Sequence, residues 1–146
     1  MAAFPKLKSW QWIVLALVLV FVGDWLVQRP DAGARDINRE LETRATAEMK
    51  AYPYPFHVFR VEGGTAVLST PRNFDVPALN FIRVIHPEIN VMNSNDPAFI
   101  AAEKDLAQRQ MEARAIVLAH PGIKDVRWEL DRHWLMSHGV DVPDKK

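Results

Sequence analysis

A long apolar segment near the start of the chain limits how the rest of the sequence can fold. It covers 18 residues from Trp10 to Val27, with Leu, Val, Ile and Phe on every side of the helix that it would form. At 1.5 Å per residue this helix would be about 27 Å long, close to the ~30 Å hydrocarbon core of a bilayer. We therefore predict a single-pass transmembrane helix, an uncleaved signal anchor, over residues 10–28. The residues expected to contact the lipid bilayer or to mark its interfaces are Trp10, Trp12, Leu15, Leu17, Leu19, Phe21 and Trp25.

Two other interpretations of this segment stay open. A cleavable signal peptide would have Lys6 and Lys8 in its basic region, residues 13–23 as its apolar region, and the Ala-Gly-Ala sequence at 32–34 as its cleavage site. The apolar run continues past Asp24, which favours the uncleaved anchor. A buried core helix is the third interpretation, but a domain this small has too little surface to cover a helix that is apolar on all sides.

The charges around the segment predict its orientation. Lys6 and Lys8 precede it, and although Arg29 and further arginines follow it, we expect the short basic tail to stay in the cytoplasm. The later residues of a bacterial protein would then lie in the periplasm, attached to the inner membrane. Asp24 is the one charge within the segment, and we expect it either at the headgroups or against the transmembrane helix of a partner.

The rest of the chain has the composition of one small domain. The sequence carries 18 Lys/Arg and 18 Asp/Glu, and the two signs stay nearly balanced after the apolar segment. We therefore expect no nucleic-acid partner and no polybasic patch for anionic lipid. The chain has no cysteine, which excludes disulfides, thiolate zinc sites, iron–sulfur clusters and cysteine nucleophiles. We predict no cofactor.

Changes in composition divide the rest of the chain, on either side of the predicted anchor, into four segments. Residues 1–9 form a short basic tail, residues 29–51 a juxtamembrane helix, residues 52–138 a small α+β domain, and residues 139–146 a flexible tail. The juxtamembrane helix is predicted because a thin apolar stripe recurs at four-residue spacing along it, and we expect this helix to lie at the domain edge. The stripe consists of Ile37, Leu41, Ala45 and Met49.

The domain itself contains signals for a hairpin and two helices. Gly63-Gly64 separates two runs of β-forming residues, 56–61 and 65–70, which predicts a β-hairpin. Asp75 with Pro77 predicts the start of a helix that ends at His86-Pro87, and a strand over residues 81–85 is the alternative. Asp96-Pro97 predicts the start of a longer helix, which runs to about Ala119.

A final strand or hairpin is predicted over residues 125–136, because Val126, Trp128 and Leu130 alternate with charged residues. The whole order predicts an α+β fold with an antiparallel sheet of about three strands and about three helices. The succession of long helix, HPGIKDV and alternating strand resembles the last helix–strand unit of small ferredoxin-like modules, including heavy-metal-associated and BON domains. The metal-binding cysteine pair of the first of these families is absent, so the resemblance implies no function.

Chemistry-bearing residues are few. Asp131, His133 and His138 could form a metal or catalytic site, but the two histidines lie five residues apart rather than at the i,i+4 spacing of a helical metal pair. Arginine and tryptophan are enriched in the hot spots of protein interfaces. We therefore expect Arg127, Arg132 and Trp134, together with Asp24, as candidate partner-binding residues.

These observations predict a membrane-anchored accessory or assembly protein with a protein-binding α+β domain and no catalysis. Its expected partner is another membrane protein, because an anchor concentrates the domain beside such a partner. The alternative is a membrane-bound enzyme or metal-binding protein that uses Asp131, His133 and His138.

Overall fold

The computed structural model describes residues 6, 8–28 and 32–144, with no description of the side chains of residues 24–28 and 32. The chain divides into two compact units, Met1–Pro30 and Asp31–Lys146. The elements in chain order are α1 (Ser9–Gln28), α2 (Ala32–Arg44), α3 (Ala47–Ala51), β1 (Val58–Glu62), β2 (Thr65–Thr70), α4 (Ala78–Ile85), α5 (Pro97–Leu118), β3 (Asp125–Leu130) and α6 (Arg132–Ser137).

Helix α1 forms the first unit and exposes its apolar side chains, including those of Trp10, Leu19 and Phe21. Among the described residues, however, no helix is both long enough and apolar enough to cross a membrane.

This finding overturns three predictions: the transmembrane helix over residues 10–28, the single-pass membrane protein, and its inner-membrane location with a periplasmic domain. Of the predicted lipid-contacting residues, those from Trp10 to Phe21 lie on the exposed surface of α1. The side chains of Asp24 and Trp25 lie outside the described residues.

The sheet of the second unit is mixed, which corrects the predicted antiparallel sheet. Strands β1 and β2 form the predicted hairpin, with Gly63 and Gly64 at positive φ in the turn and Val61 opposite Ala66. Strand β3 pairs with β2 in parallel, from Thr65 beside Asp125 to Thr70 beside Leu130. The physical reason is the connection: α4 and α5 carry the chain back to the start of β2, and such a crossover joins parallel neighbours.

The helices of the second unit pack against one face of this sheet, and the structure describes five of them, α2 to α6, rather than the predicted number of about three. The juxtamembrane helix predicted over residues 29–51 is two helices, α2 and α3, among the described residues, because Thr46 interrupts it and caps α3 by accepting a hydrogen bond from the Met49 amide. Helix α2 contributes Ala34, Ile37 and Leu41 to the core. Its thin apolar stripe therefore reaches the interior.

Helix α5 confirms the helix predicted from Asp96-Pro97. The Asp96 carboxylate accepts a hydrogen bond from the Ala98 amide at 2.9 Å, and Pro97 occupies the first turn. The helix that follows Pro77 begins at Ala78, and the Asp75 side chain does not cap it. The buried residues of α5 are Phe99, Ala102, Leu106, Ala113, Ile116 and Val117.

The C-terminal region differs most from its prediction. Strand β3 ends at Leu130, and Asp131 caps α6 by accepting a hydrogen bond from the Trp134 amide at 3.1 Å. The strand predicted to continue to Met136 is therefore helical. The tail is also less free than predicted, because Val142 is buried in a small cluster with Val76 and Leu135.

Candidate functional site

The loop between β2 and α4 presents an aromatic side chain to solvent. Asn73 organises this loop: its Oδ1 accepts hydrogen bonds from the amides of Asp75 and Val76 at 2.9 and 2.8 Å, and its own amide donates to the Val76 carbonyl at 3.0 Å. Val76 and Pro71 are fully buried and fix the ends of the loop. Phe74 is 100% exposed between them. A fixed loop therefore holds an apolar ring outside the core.

A groove of about 450 Å³ lies beside this loop, between α5 and the second half of β3. We call it the α5–β3 groove. Trp128 and Leu130 line it from the strand, and Met111, which is 71% exposed, lines it from the helix. Its lining also includes Arg72, from the same loop as Phe74. The groove and the exposed ring together form the candidate surface.

Polar contacts orient Arg72 at this groove. Its Nε and Nη2 both donate to Oε1 of Gln110, at 3.1 and 3.0 Å, and Nε2 of Gln110 donates to Oγ1 of Thr70 at 2.8 Å. Among the described residues, Nη1 of Arg72 has no partner, and neither has the exposed side chain of Arg114. The charged residues that line the groove are these two arginines. The groove is therefore cationic with an apolar floor.

The backbone of β3 forms one wall of this region and is an edge of the sheet. The described strands have the order β1-β2-β3, so β3 has a strand neighbour only on the β2 side within residues 32–144. The Asp131 amide donates to the Thr70 carbonyl on that side. Because backbone groups alternate along a strand, the amides and carbonyls of Val126, Trp128 and Leu130 point to the outer side.

The sheet face opposite the helices carries alternating charges, and we call it the charged face. The guanidinium of Arg60 reaches across β2 and donates to both carboxylate oxygens of Glu129 at 3.1 and 2.9 Å. Arg60 also donates to Glu62, which in turn accepts from Arg127 at 3.1 Å. The hydrogen bonds to Glu129 and Glu62 raise the pKa of Arg60, and the hydrogen bond from Arg60 lowers the pKa of Glu62. Val67 lies fully buried beneath these side chains.

Comparison of the chain with protein-family models, curated proteins and solved structures finds no significant match. The resemblance to ferredoxin-like modules gains no support from it.

The residues considered for a metal or catalytic site are engaged separately. Asp131 is buried, and its Oδ2 accepts a hydrogen bond from the Tyr54 hydroxyl at 2.8 Å. His138 stacks on Trp134 at a ring-centroid distance of 3.9 Å, whereas His133 is exposed. Among the described residues, no group of three or more His, Cys, Asp or Glu side chains is placed to hold a metal ion.

A polar cluster around Asp131 was not expected from the sequence. His57 Nε2 lies 3.9 Å from Asp131 Oδ2, and His57 Nδ1 lies 3.3 Å from the hydroxyl of Ser69. These are the residue types of a catalytic triad, but Ser69 is fully buried and accepts a hydrogen bond from the His57 amide at 2.9 Å. Burial, opposed in part by a hydrogen bond from Ser69, raises the pKa of Tyr54. Ser69 is therefore closed to a substrate, and the cluster ties residues 54–57 to the start of α6.

The predicted partner-binding residues have different surroundings. Trp134 packs edge-on against Tyr54 at 5.2 Å and beside Phe81 at 5.4 Å, so its ring belongs to the core. Arg132 lines a second cavity, next to Asp75 and Glu129. Their role in partner binding remains a prediction.

Phe74 and Arg72 were not among the residues predicted from the sequence. The available signal was the segment PRNFDVP, in which an aromatic residue stands alone between polar residues and two prolines. Such a residue belongs to no apolar period, so it has no place in a predicted helix or strand core.

Proposed function

We propose that the unit Asp31–Lys146 is a non-catalytic protein-binding module that uses Phe74 and the α5–β3 groove to bind an acidic segment of a partner protein. The observation that carries this proposal is the fully exposed ring of Phe74 on a loop fixed by three hydrogen bonds. Contiguous exposed apolar patches mark binding surfaces, and aromatic residues are enriched in protein interfaces.

The energetics favour this loop as an anchor. Burial of a Phe side chain contributes about 1.5–3 kcal/mol, and a loop whose backbone is already fixed loses little backbone freedom when it binds. Asn73 holds the backbone on both sides of Phe74, so the partner does not have to order the loop. Trp128 and Met111 extend the apolar contact into the groove.

Charge supports an acidic partner. Arg72 and Arg114 are the charged residues that line the groove, and Arg72 is already oriented by Gln110. A guanidinium pairs well with a carboxylate because both are planar and can form two parallel hydrogen bonds. A segment with an apolar side chain next to Asp or Glu would satisfy both parts of the surface.

A displayed library of short random peptides, selected against the full-length chain in mild detergent, tests the proposal. We expect the recovered peptides to combine acidic and apolar residues. Their affinity should fall about tenfold or more in Phe74→Ser, which is the ~1.5 kcal/mol expected for an anchor. Met92→Ser is the matched control, because Met92 is 78% exposed on another loop; this variant should bind as the parent does.

The charge-reversal variant Arg114→Glu tests the electrostatic part of the proposal in the same experiment. The selected acidic peptides should bind this variant more weakly, and the loss should shrink at high salt because exposed charges are screened. If the selected peptides are not acidic, or bind Phe74→Ser and Met92→Ser equally well, the proposed surface is wrong.

A further inference from the structure

The outer edge of β3 is a row of backbone groups without a strand partner among residues 32–144. These groups are the amides and carbonyls of Val126, Trp128 and Leu130, which point away from β2. The Val126 amide has a local acceptor, the carboxylate of Asp125 at 2.9 Å. An exposed strand edge is a template for pairing with a further strand.

We infer that β3 pairs antiparallel with β3 of a second copy of this chain, about a two-fold axis at Trp128. In such a pairing, residues with outward backbone groups must stand opposite one another. A centre at Trp128 places Trp128 opposite its counterpart and Val126 opposite Leu130 of the partner subunit. The two sheets then form one continuous sheet of six strands.

Charge complementarity selects this register. With the axis at Trp128, Arg127 lies opposite Glu129 of the partner subunit, and the two-fold symmetry repeats the pair. An axis at Arg127 would instead place Arg127 opposite itself and Asp125 opposite Glu129 of the partner subunit. Opposite charges across a strand pair stabilise it and like charges destabilise it, so the first register is preferred.

The existing ion pairs of the charged face already prepare this contact. Within one chain, Arg127 contacts Glu62 and Glu129 contacts Arg60, at 3.1 and 2.9 Å. The dimer would join these pairs into one network across the sheet, Glu62–Arg127–Glu129–Arg60, with the middle contact between subunits. Arg127 retains 54% side-chain exposure, so part of its surface is free for that contact.

A charge-exchange experiment on the full-length chain tests the pairing. Arg127→Glu alone and Glu129→Arg alone each create two repulsive contacts in the dimer, so each should weaken dimerisation roughly tenfold or more, measured by sedimentation in mild detergent. An equal mixture of the two variants restores both attractive contacts in the heterodimer. Each variant loses the same internal ion pair in the mixture as alone, so recovery can come only from contact between subunits.

The absence of cysteine from the sequence allows a second measurement that does not respond to association through α1. Arg127→Cys mixed with Glu129→Cys should form a disulfide-linked heterodimer under mild oxidation, because the two positions face each other. Met92→Cys, an exposed control position, should not crosslink. The inference is wrong if the mixture of the two charge variants dimerises no more strongly than either variant alone. It is also wrong if Met92→Cys crosslinks as much as the mixture of Arg127→Cys and Glu129→Cys. Binding measured through Phe74 is a separate readout.

Discussion

Removal of one buried hydroxyl should measure how strongly the Asp131 cluster holds the domain together. In Tyr54→Phe the ring keeps its edge contacts with Phe56 at 4.9 Å and Trp134 at 5.2 Å, and only the O–H is lost. That O–H donates to Asp131 Oδ2 at 2.8 Å, where both residues are buried. A hydrogen bond to a charged acceptor contributes about 1.5–3 kcal/mol to the free energy of unfolding.

The expected loss for Tyr54→Phe is near the middle of this range, about 2 kcal/mol. Asp131 keeps one hydrogen bond through Oδ1 from the Trp134 amide, but the nearest basic nitrogen to Oδ2, that of His57, is 3.9 Å away. No described side chain therefore replaces the lost donor at hydrogen-bond distance. With a urea m-value of about 2 kcal/mol per M, the unfolding midpoint should fall by about 1 M. Tryptophan fluorescence measures it, since Trp134 contacts Tyr54 directly.

Tyr52→Phe is the matched control, because the Tyr52 hydroxyl is buried and has no hydrogen-bond partner among the described residues. Its removal relieves an unsatisfied polar group, so the free energy of unfolding should stay the same or rise by up to about 1 kcal/mol. If Tyr54→Phe costs less than about 0.5 kcal/mol, or no more than Tyr52→Phe, the Tyr54–Asp131 contact does not stabilise the fold.

Alkaline pH gives an independent check of the same residue. Burial and the Asp131 carboxylate raise the pKa of Tyr54 in the folded chain, so tyrosine ionises first in the unfolded chain, at pH about 10. The resulting stability is complete below that pH and is lost as pH rises toward the higher pKa of the folded state, by about 1.4 kcal/mol per pH unit. The free energy of unfolding of Tyr54→Phe should fall less steeply above pH 10; an unchanged slope would contradict the burial argument.

Three smaller predictions can be measured by urea unfolding of the full-length chain. Gly64→Ala should lower the free energy of unfolding by about 1–2 kcal/mol, because φ is +86° and the new Cβ would lie 3.4 Å from the Gly122 carbonyl oxygen. Gly63→Asn, at φ +55°, should lower it by less than about 1 kcal/mol, and equal losses in the two variants would contradict this account. A chain that stops after Gly139 should lose about 1–3 kcal/mol with the buried Val142, and an unaltered midpoint would mean that the tail does not dock. Thr46→Ala should cost about 1 kcal/mol by removal of the α3 cap, with Thr46→Ser restoring most of it.

The structural features that were predicted correctly are those that depend on residues close together in the sequence. The start of α5 depends on Asp96 and Pro97, which act within one turn, and the hairpin depends on two glycines at positive φ. Both were therefore predictable from adjacent residues.

Contacts distant in sequence explain most of what was missed. Alternation of Val126, Trp128 and Leu130 predicts a strand but gives neither its neighbour nor its direction, which the α4–α5 connection decides. Helix α6 is too short for a period to appear, and its start depends on Asp131, which Tyr54 holds from 77 positions away in the sequence. Phe74 was missed because its exposure is a property of the packed loop.

The two proposed contacts meet at β3 but use different groups of that strand. Side chains alternate along β3. Trp128 and Leu130 therefore line the α5–β3 groove, whereas Arg127 and Glu129 lie on the charged face, on the opposite side of the sheet. Trp128 belongs to both proposals and cannot separate them. Variants of Phe74 leave the edge of β3 unaltered, and charge exchange at Arg127 and Glu129 leaves the groove lining unaltered. Loss of peptide binding and loss of dimerisation should therefore occur in different variants, and a single variant among these that abolished both would show that the two contacts are one.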